Sequence, residues 1–521
     1  MNGGRSHSTG RLPVIALLTI ALVATGFTRH FAAERRNSER TLGGAVVSGG
    51  AGGSRAAQLS RMNSFALALL LGGLRGPLVM VLWSTSESQK SERNLEDFDT
   101  KVEWIRMLQP EFDTVQIFQI WNKAYNISVQ MASLSNKYLT IIDAIDYAHR
   151  VDVERPDSIN IIYAIGSVYG DKLGDSAEKQ YYGRRVREES LPHPQRQKLA
   201  ENDPGYRRLQ LDPVLDERGM VLAKYLKPSG ITPLVDPEHP EDVYDGSELP
   251  FLKRFEPYPY GVSPWGFAYN YRKRAQLLQR LAHQKHAQLS EPVTDSRPGA
   301  DLKKWGEAEW DLGRRLELQA FNHPMPAERI EMEPLTENLD LQTTVNDAQK
   351  AKLQQAIFSY NMADRVWTEA DAEYIEHLKR YKANLQIYES HRDEMMAERQ
   401  LVSGDRDYLM AMLAAPGDRD ALIKSARQHY ERALVRYSLC ILKYYMPNEE
   451  VVKATFPDGE TPRTLSTGWA AKPDEMEPKN VLAVLGNSVE MMRQGNQPLA
   501  EEAIEYLTFL RRADARLKHL Q

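Results

Sequence analysis

Apolar residues recur at helical spacing from Glu87 to Glu189, a stretch that holds only Pro110 and Pro156 as prolines. From Leu335 to Ser403 there is neither Gly nor Pro, which predicts one very long helix or a tight helical hairpin. Helical spacing returns over Asp418–Met446 and Pro498–Leu520, and convincing strand alternation is absent. The pattern predicts an all-α body. It is interrupted between Pro192 and Pro264, where 12 of the 28 prolines fall. That excursion reads as irregular, and its aromatics (PYPYGVSPWGFAYNY, Pro257 to Tyr271) predict that it packs on something.

The Gly/Pro-free segment carries the most regular pattern. Leu353, Tyr360, Trp367, Tyr374, Tyr381 and Tyr388 recur every seven residues. Ile357, Leu378 and Leu385 supply alternate seam positions, while Asp364 and Asp371 interrupt them. This predicts a continuous helix with one face on a partner helix. The first reading is intramolecular antiparallel packing, with the Tyr hydroxyls reaching water and the two Asp at a wet notch. An aromatic groove for a partner segment and a homodimeric coiled coil are the alternatives.

Two apolar runs precede the body. Leu12–Phe27 is uncharged and lies between Arg11 and Arg29. Its length falls between a signal-peptide core of about 7–15 residues and a spanning helix of about 17–25. We read it as an uncleaved single-pass anchor in the cell (inner) membrane; a cleaved signal is the alternative. The body is placed on the extracytoplasmic side, although the Arg count around the run leans the other way. Phe65–Trp83 is long enough to span, but Arg75 sits at its middle among glycines. It reads as a buried or membrane-surface helix pair, with a second span as the alternative. Gly43–Ser54 (GGAVVSGGAGGS) is a flexible tether, lacking the Lys-Ser/Thr ending of a phosphate loop. The resulting blocks are 1–28 anchor, 29–60 linker, 61–191 helical repeats, 192–264 excursion, 265–334 helices and loops, 335–403 long helix or hairpin, and 404–521 C-terminal helices.

The repeat assignment rests on the tetratricopeptide period of about 34 residues. Pro156 falls at one unit's closing position, with Ala132 and Ala144 at both small positions of that unit, and Gly166, Tyr169 and Tyr182 at the small and aromatic positions of the next. Ala426, Tyr430 and Ala433 repeat the second-helix half. Together with LGGLRGPLVMVLW (Leu71–Trp83), LQP (Leu108–Pro110), WNKAYNIS (Trp121–Ser128) and YYGRRVREES (Tyr181–Ser190), these make residues 65–190 resemble a bacterial, planctomycete-type family of membrane-anchored tetratricopeptide-like proteins. The resemblance implies an N-terminal anchor and a helical-repeat body, with no established activity. Some relatives carry an "iron-responsive element" label, to which these residues give no physical support.

Charge adds exclusions. Lys and Arg number 66 against 71 Asp and Glu, so no global drive toward nucleic acid exists and no nucleic-acid partner is expected. The single cysteine, Cys440, excludes an internal disulfide framework and any Cys-built metal or haem site, and reads as a buried thiol. His283 and His286, and Glu241, Asp242 and Asp245, read as solvated groups rather than metal ligands. The basic-aromatic YYGRRVREE (Tyr181–Glu189) reads as a solvated helix face. No catalytic residue, metal or cofactor is expected. The reading is a membrane-anchored helical-repeat scaffold that binds a protein or peptide, with Trp121, Asn122, Tyr125 and Asn126 as partner-binding candidates. An enzyme with a site assembled from distant residues and a structural spacer of the envelope are the alternatives. Oligomeric state stays open.

Overall fold

Helix starts follow local chemistry. Asn346 and Gln349 cap each other reciprocally, side chain to backbone N–H at 2.9 Å in both directions, at the head of one long helix. Ser158 caps another by accepting from the Ile161 N–H, just after Pro156. Pro416 opens a third at its first turn. The computed structural model describes residues 113–202, 250–285, 297–321, 345–380, 385–445, 478–494 and 501–520, with short pieces at 79–82, 84–85, 101, 104–105, 108, 234–235, 240, 243–244 and 341. Leu12–Phe27, the Gly43–Ser54 tether, Glu241, Asp242, Asp245, His286 and Tyr381 lie outside the described residues, as do the side chains of His283, Leu378, Leu385 and Tyr388.

In chain order the elements are α1 (Asp113–Trp121, continued by a π-helical turn Asn122–Ile127), α2 (Leu134–Glu154), α3 (Ile159–Ser167, continued by a π turn Val168–Gly174), α4 (Lys179–Glu189) and α5 (His193–Asn202). A two-residue antiparallel ladder of β1 (Leu234–Val235) and β2 (Val243–Tyr244) follows. Then come α6 (Pro264–Lys285), α7 (Arg297–Ala320), α8 (Asp347–Arg380), α9 (Leu385–Leu413), α10 (Pro416–Cys440, continued by a π turn Ile441–Tyr445), α11 (Pro478–Gln494) and α12 (Glu501–His519). The described body is all-α apart from that ladder. Among the described residues no helix is long and apolar enough to cross a membrane.

The chain divides into two compact units, residues 1–130 with 140–151, and residues 131–139 with 152–521. In the first, Val79, Leu82, Ile105, Leu108 and Val115 share a core with Phe118. Val79 and Leu82 end the apolar Phe65–Trp83 run and point inward, while Met80 and Val81 are exposed. The Tyr147 hydroxyl donates to the Gln116 side chain, and Lys123 lies over the Tyr147 ring.

The second unit is a meander. Arg272 on Asp301 and Gly266 against Trp305 set α6 antiparallel to α7. Gly299, Gly306 and Gly313 of α7 receive the rings of Tyr374, Trp367 and Tyr360 from α8, again antiparallel. Asp364–Arg399 and Asp371–Arg392 set α8 against α9; Gly404 under the Tyr430 ring sets α9 against α10. Tyr437 on Tyr506 and Phe509 brings α12 onto α10.

The aromatic seam is therefore internal, as its heptad implied. Leu353, Tyr360 and Trp367 are fully buried and Tyr374 nearly so. Three details depart from expectation. The helix is not continuous through Tyr388: α8 ends at Arg380 and α9 runs back along it, so the hairpin holds. The Tyr360 hydroxyl donates to buried Glu317 instead of water, because Arg512 and Arg516 make that site polar. Gly404 does not stop α9, since its missing side chain is the space the Tyr430 ring fills. The two Asp lie partly exposed, as expected of a wet notch, and each also binds an Arg of α9.

The repeat register fares unevenly. Ala144 is buried, but Ala132 is exposed in the break before α2. Gly166 sits at a helix crossing, where a Cβ would meet the Arg272 side chain at 2.7 Å. The helix it meets is α6, a hundred residues on, and not the next in the chain. Helices α6 to α10 contain 22, 24, 34, 29 and 25 residues. Each is too long for two to fit a unit of about 34 residues.

Candidate functional site

A concave feature of the second unit is a groove of about 1180 Å³. One wall is α7, whose Lys304, Glu307, Ala308, Asp311, Leu312, Arg315, Leu316 and Gln319 line it. Steps of three and four residues put these on one helix face, about 22 Å long at 1.5 Å per residue. The other wall is α4, through Lys179, Gly183, Arg184, Arg187 and Glu188. Tyr260, Trp265 and Leu173 add apolar surface.

The walls are held together by specific bonds. Arg187 of α4 pairs with Glu309 of α7 at 2.7 Å. Glu309 also accepts from the Trp305 indole, so its charge is well supported. The loop before α6 is pinned to the end of α4: Ser190 Oγ accepts from the Val262 N–H at 2.7 Å. Gly261 there has φ 76°, and its Cα faces the Arg187 carbonyl so closely that any side chain would collide. Trp265 packs on Gly170 and Gly174 and donates its indole N–H to the Gly174 carbonyl at 3.3 Å. At Gly183, by contrast, an added Cβ would meet nothing within 4 Å.

Behind the α7 wall lies a buried charge cluster. Lys303 binds Glu307 at 3.1 Å and Glu394 at 3.2 Å. Burial alone would raise the Glu307 carboxyl, but Lys303 and Lys304 hold it down at about 2. Burial pushes Glu398 up to about 8, with Lys303 offsetting only part of that. One Glu398 oxygen is buried without a hydrogen-bond partner. Among the described residues no group of three or more His, Cys, Asp or Glu is arranged to hold a metal ion.

Comparison with protein-family models, curated proteins and solved structures returned no match. The functional reading therefore rests on geometry.

The sequence-derived candidates lie together in the first unit. Asn122, Tyr125 and Asn126 belong to the π turn that continues α1, a geometry often found at functional sites. Asn122 is fully buried; its Oδ1 accepts from Asn126 Nδ2 at 2.9 Å, while its own Nδ2 has no partner. Trp121 is 41% exposed and stacks on Tyr125 at 5.9 Å. YYGRRVREE is not a solvated face. Tyr182 is fully buried against Tyr138, and Arg185 and Arg187 are engaged by Glu188, Glu189 and Glu309. Arg184, 59% exposed, is the most accessible of its arginines and lies 4.0 Å from Glu188. Cys440 is buried, as its apolar context implied.

Proposed function

We propose that this chain is a membrane-anchored helical scaffold that docks a segment of a partner protein in the groove between α4 and α7. The observation that carries this is the groove's lining: Gly183 leaves open space on the α4 wall, and Ala308, Leu312 and Leu316 of α7 with Trp265 offer small and apolar contact along a helix-length face. In this reading the tetratricopeptide likeness is one of principle: antiparallel helices stack pairwise along the chain and leave a channel for a partner. Leu12–Phe27 supplies the anchor.

A photo-crosslinking amino acid placed at Gly183 in the full chain, in its own cells, tests the groove. Gly417, which also has nothing within 4 Å of an added Cβ, is the control position. We expect a discrete adduct from position 183 that Ala308→Trp removes. Equal adducts from both positions would refute the docking reading. The anchor is tested by sedimentation: the full chain should stay with membranes in high salt, and a chain starting near Arg61 should not.

A further inference from the structure

We propose that the groove's occupant is an acidic amphipathic segment of a partner protein, one of whose carboxylates pairs with Arg315; this rests on the docking reading above. The argument is one of charge matching along the walls. Each carboxylate lining the groove is already engaged. Asp175 faces Lys179, Glu188 faces Arg184 and Arg185, Glu307 holds Lys303 and Lys304, and Asp311 holds Arg314. The lining cations are likewise matched, with Arg187 on Glu309, until Arg315 is reached. Among the described residues lining the groove, Arg315 is the cation without an ion pair; its bond is from Nε to the Asp311 carbonyl at 3.2 Å.

That bond uses Nε alone, and Arg315 is one of the residues that line the groove. A guanidinium presents two parallel N–H groups to a carboxylate, a geometry that Lys does not reproduce. Burial lowers the Arg315 pKa, Asp311 opposes this, and Arg187 and Arg314 lower it further. The free groove thus holds excess positive charge in a partly desolvated place, a condition that an incoming anion relieves. Leu312 and Leu316 flank Arg315 on the same helix face, so an occupant needs apolar residues beside its acid. A basic or purely apolar segment would leave Arg315 buried and unmatched, at a cost in affinity.

The test uses the full chain in detergent and fluorescence anisotropy with labelled synthetic helical peptides of about 15 residues, matched to the α7 face. All share one Leu/Ala face and differ only in a polar face of Glu, Gln or Lys. The Glu peptide should bind about tenfold tighter than the Gln peptide at low salt, as a charge-assisted bond implies. The preference should shrink as salt rises. Arg315→Gln should erase the preference, and Arg315→Lys should keep part of it. Far-UV circular dichroism checks that both variants fold. Equal affinity for the Glu and Gln peptides, or a preference that survives Arg315→Gln, overturns the acidic occupant and leaves docking intact. Binding of none of the three, together with absent crosslinks at Gly183, overturns both.

Discussion

The interlock between α7 and α8 makes a sharp energetic claim. Trp367 is fully buried, and its indole lies where a Cβ on Gly306 would be. Trp367→Ala should cost about 3–5 kcal/mol, as large-to-small core changes do. Gly306→Ala carries two opposed effects. Overpacking against the indole costs about 1–3 kcal/mol, and better helix propensity returns about 1 kcal/mol. In the Trp367→Ala background the first effect vanishes, because the space is empty, and the second remains. The same Gly306→Ala change should then stabilise by about 1 kcal/mol. The cycle should therefore show a coupling of about 1–3 kcal/mol. Urea unfolding followed by near-UV circular dichroism reads it, since Trp305, Trp310 and Trp367 all belong to the second unit. Additivity within about 0.5 kcal/mol would refute the interlock. So would a Gly306→Ala change that stabilises both backgrounds equally.

Gly166→Leu should lower the melting temperature strongly, because its side chain would enter the space of Arg272 and the Ala268 carbonyl, whereas Gly183→Ala should be neutral or stabilising. Equal shifts would argue against this packing. Burial raises Glu398 to about 8, so the folded chain keeps a proton that the unfolded chain loses near its ordinary carboxylate value. This contribution is complete below that ordinary value and is lost as pH rises through about 8. Glu398→Gln should flatten the decline and stabilise by about 1–3 kcal/mol near pH 9, read from melting temperature against pH. Glu373→Gln removes the carboxylate that buried Lys273 binds and should cost about 3–5 kcal/mol, while Lys273→Met with Glu373→Leu should come near neutral. Chemical denaturation of the three variants decides it.

The helices and the aromatic seam were legible because both are written locally, in missing Gly and Pro and in a heptad. The seam's partner carries the same period: Gly299, Gly306 and Gly313 recur every seven residues, the complement of Tyr374, Trp367 and Tyr360. The hairpin turn was not legible, since no Gly or Pro marks it. The charged run Arg272-Lys273-Arg274 is buried throughout. Their partners Asp152, Asp171, Asp301 and Glu373 are scattered from 29 to 122 positions away, which no local pattern reveals. The groove was hidden for the same reason, its lining running from Leu134 to Gln355.

That buried triplet bears on how the chain reaches its final form during synthesis. Arg274 waits for Asp152 and the Pro156 carbonyl, and Arg272 for Asp171, all of which leave the ribosome before α6. Arg272 also needs Asp301, and Lys273 needs Glu373, both made afterwards. Helix α6 thus emerges with half its counter-charges present and cannot settle until α8 has been translated. A nascent chain halted before Glu373 lacks the carboxylate that Lys273 binds in the finished fold. The second unit has no early stopping point, and fragments ending between α6 and α8 should fall to proteases rather than persist as smaller domains.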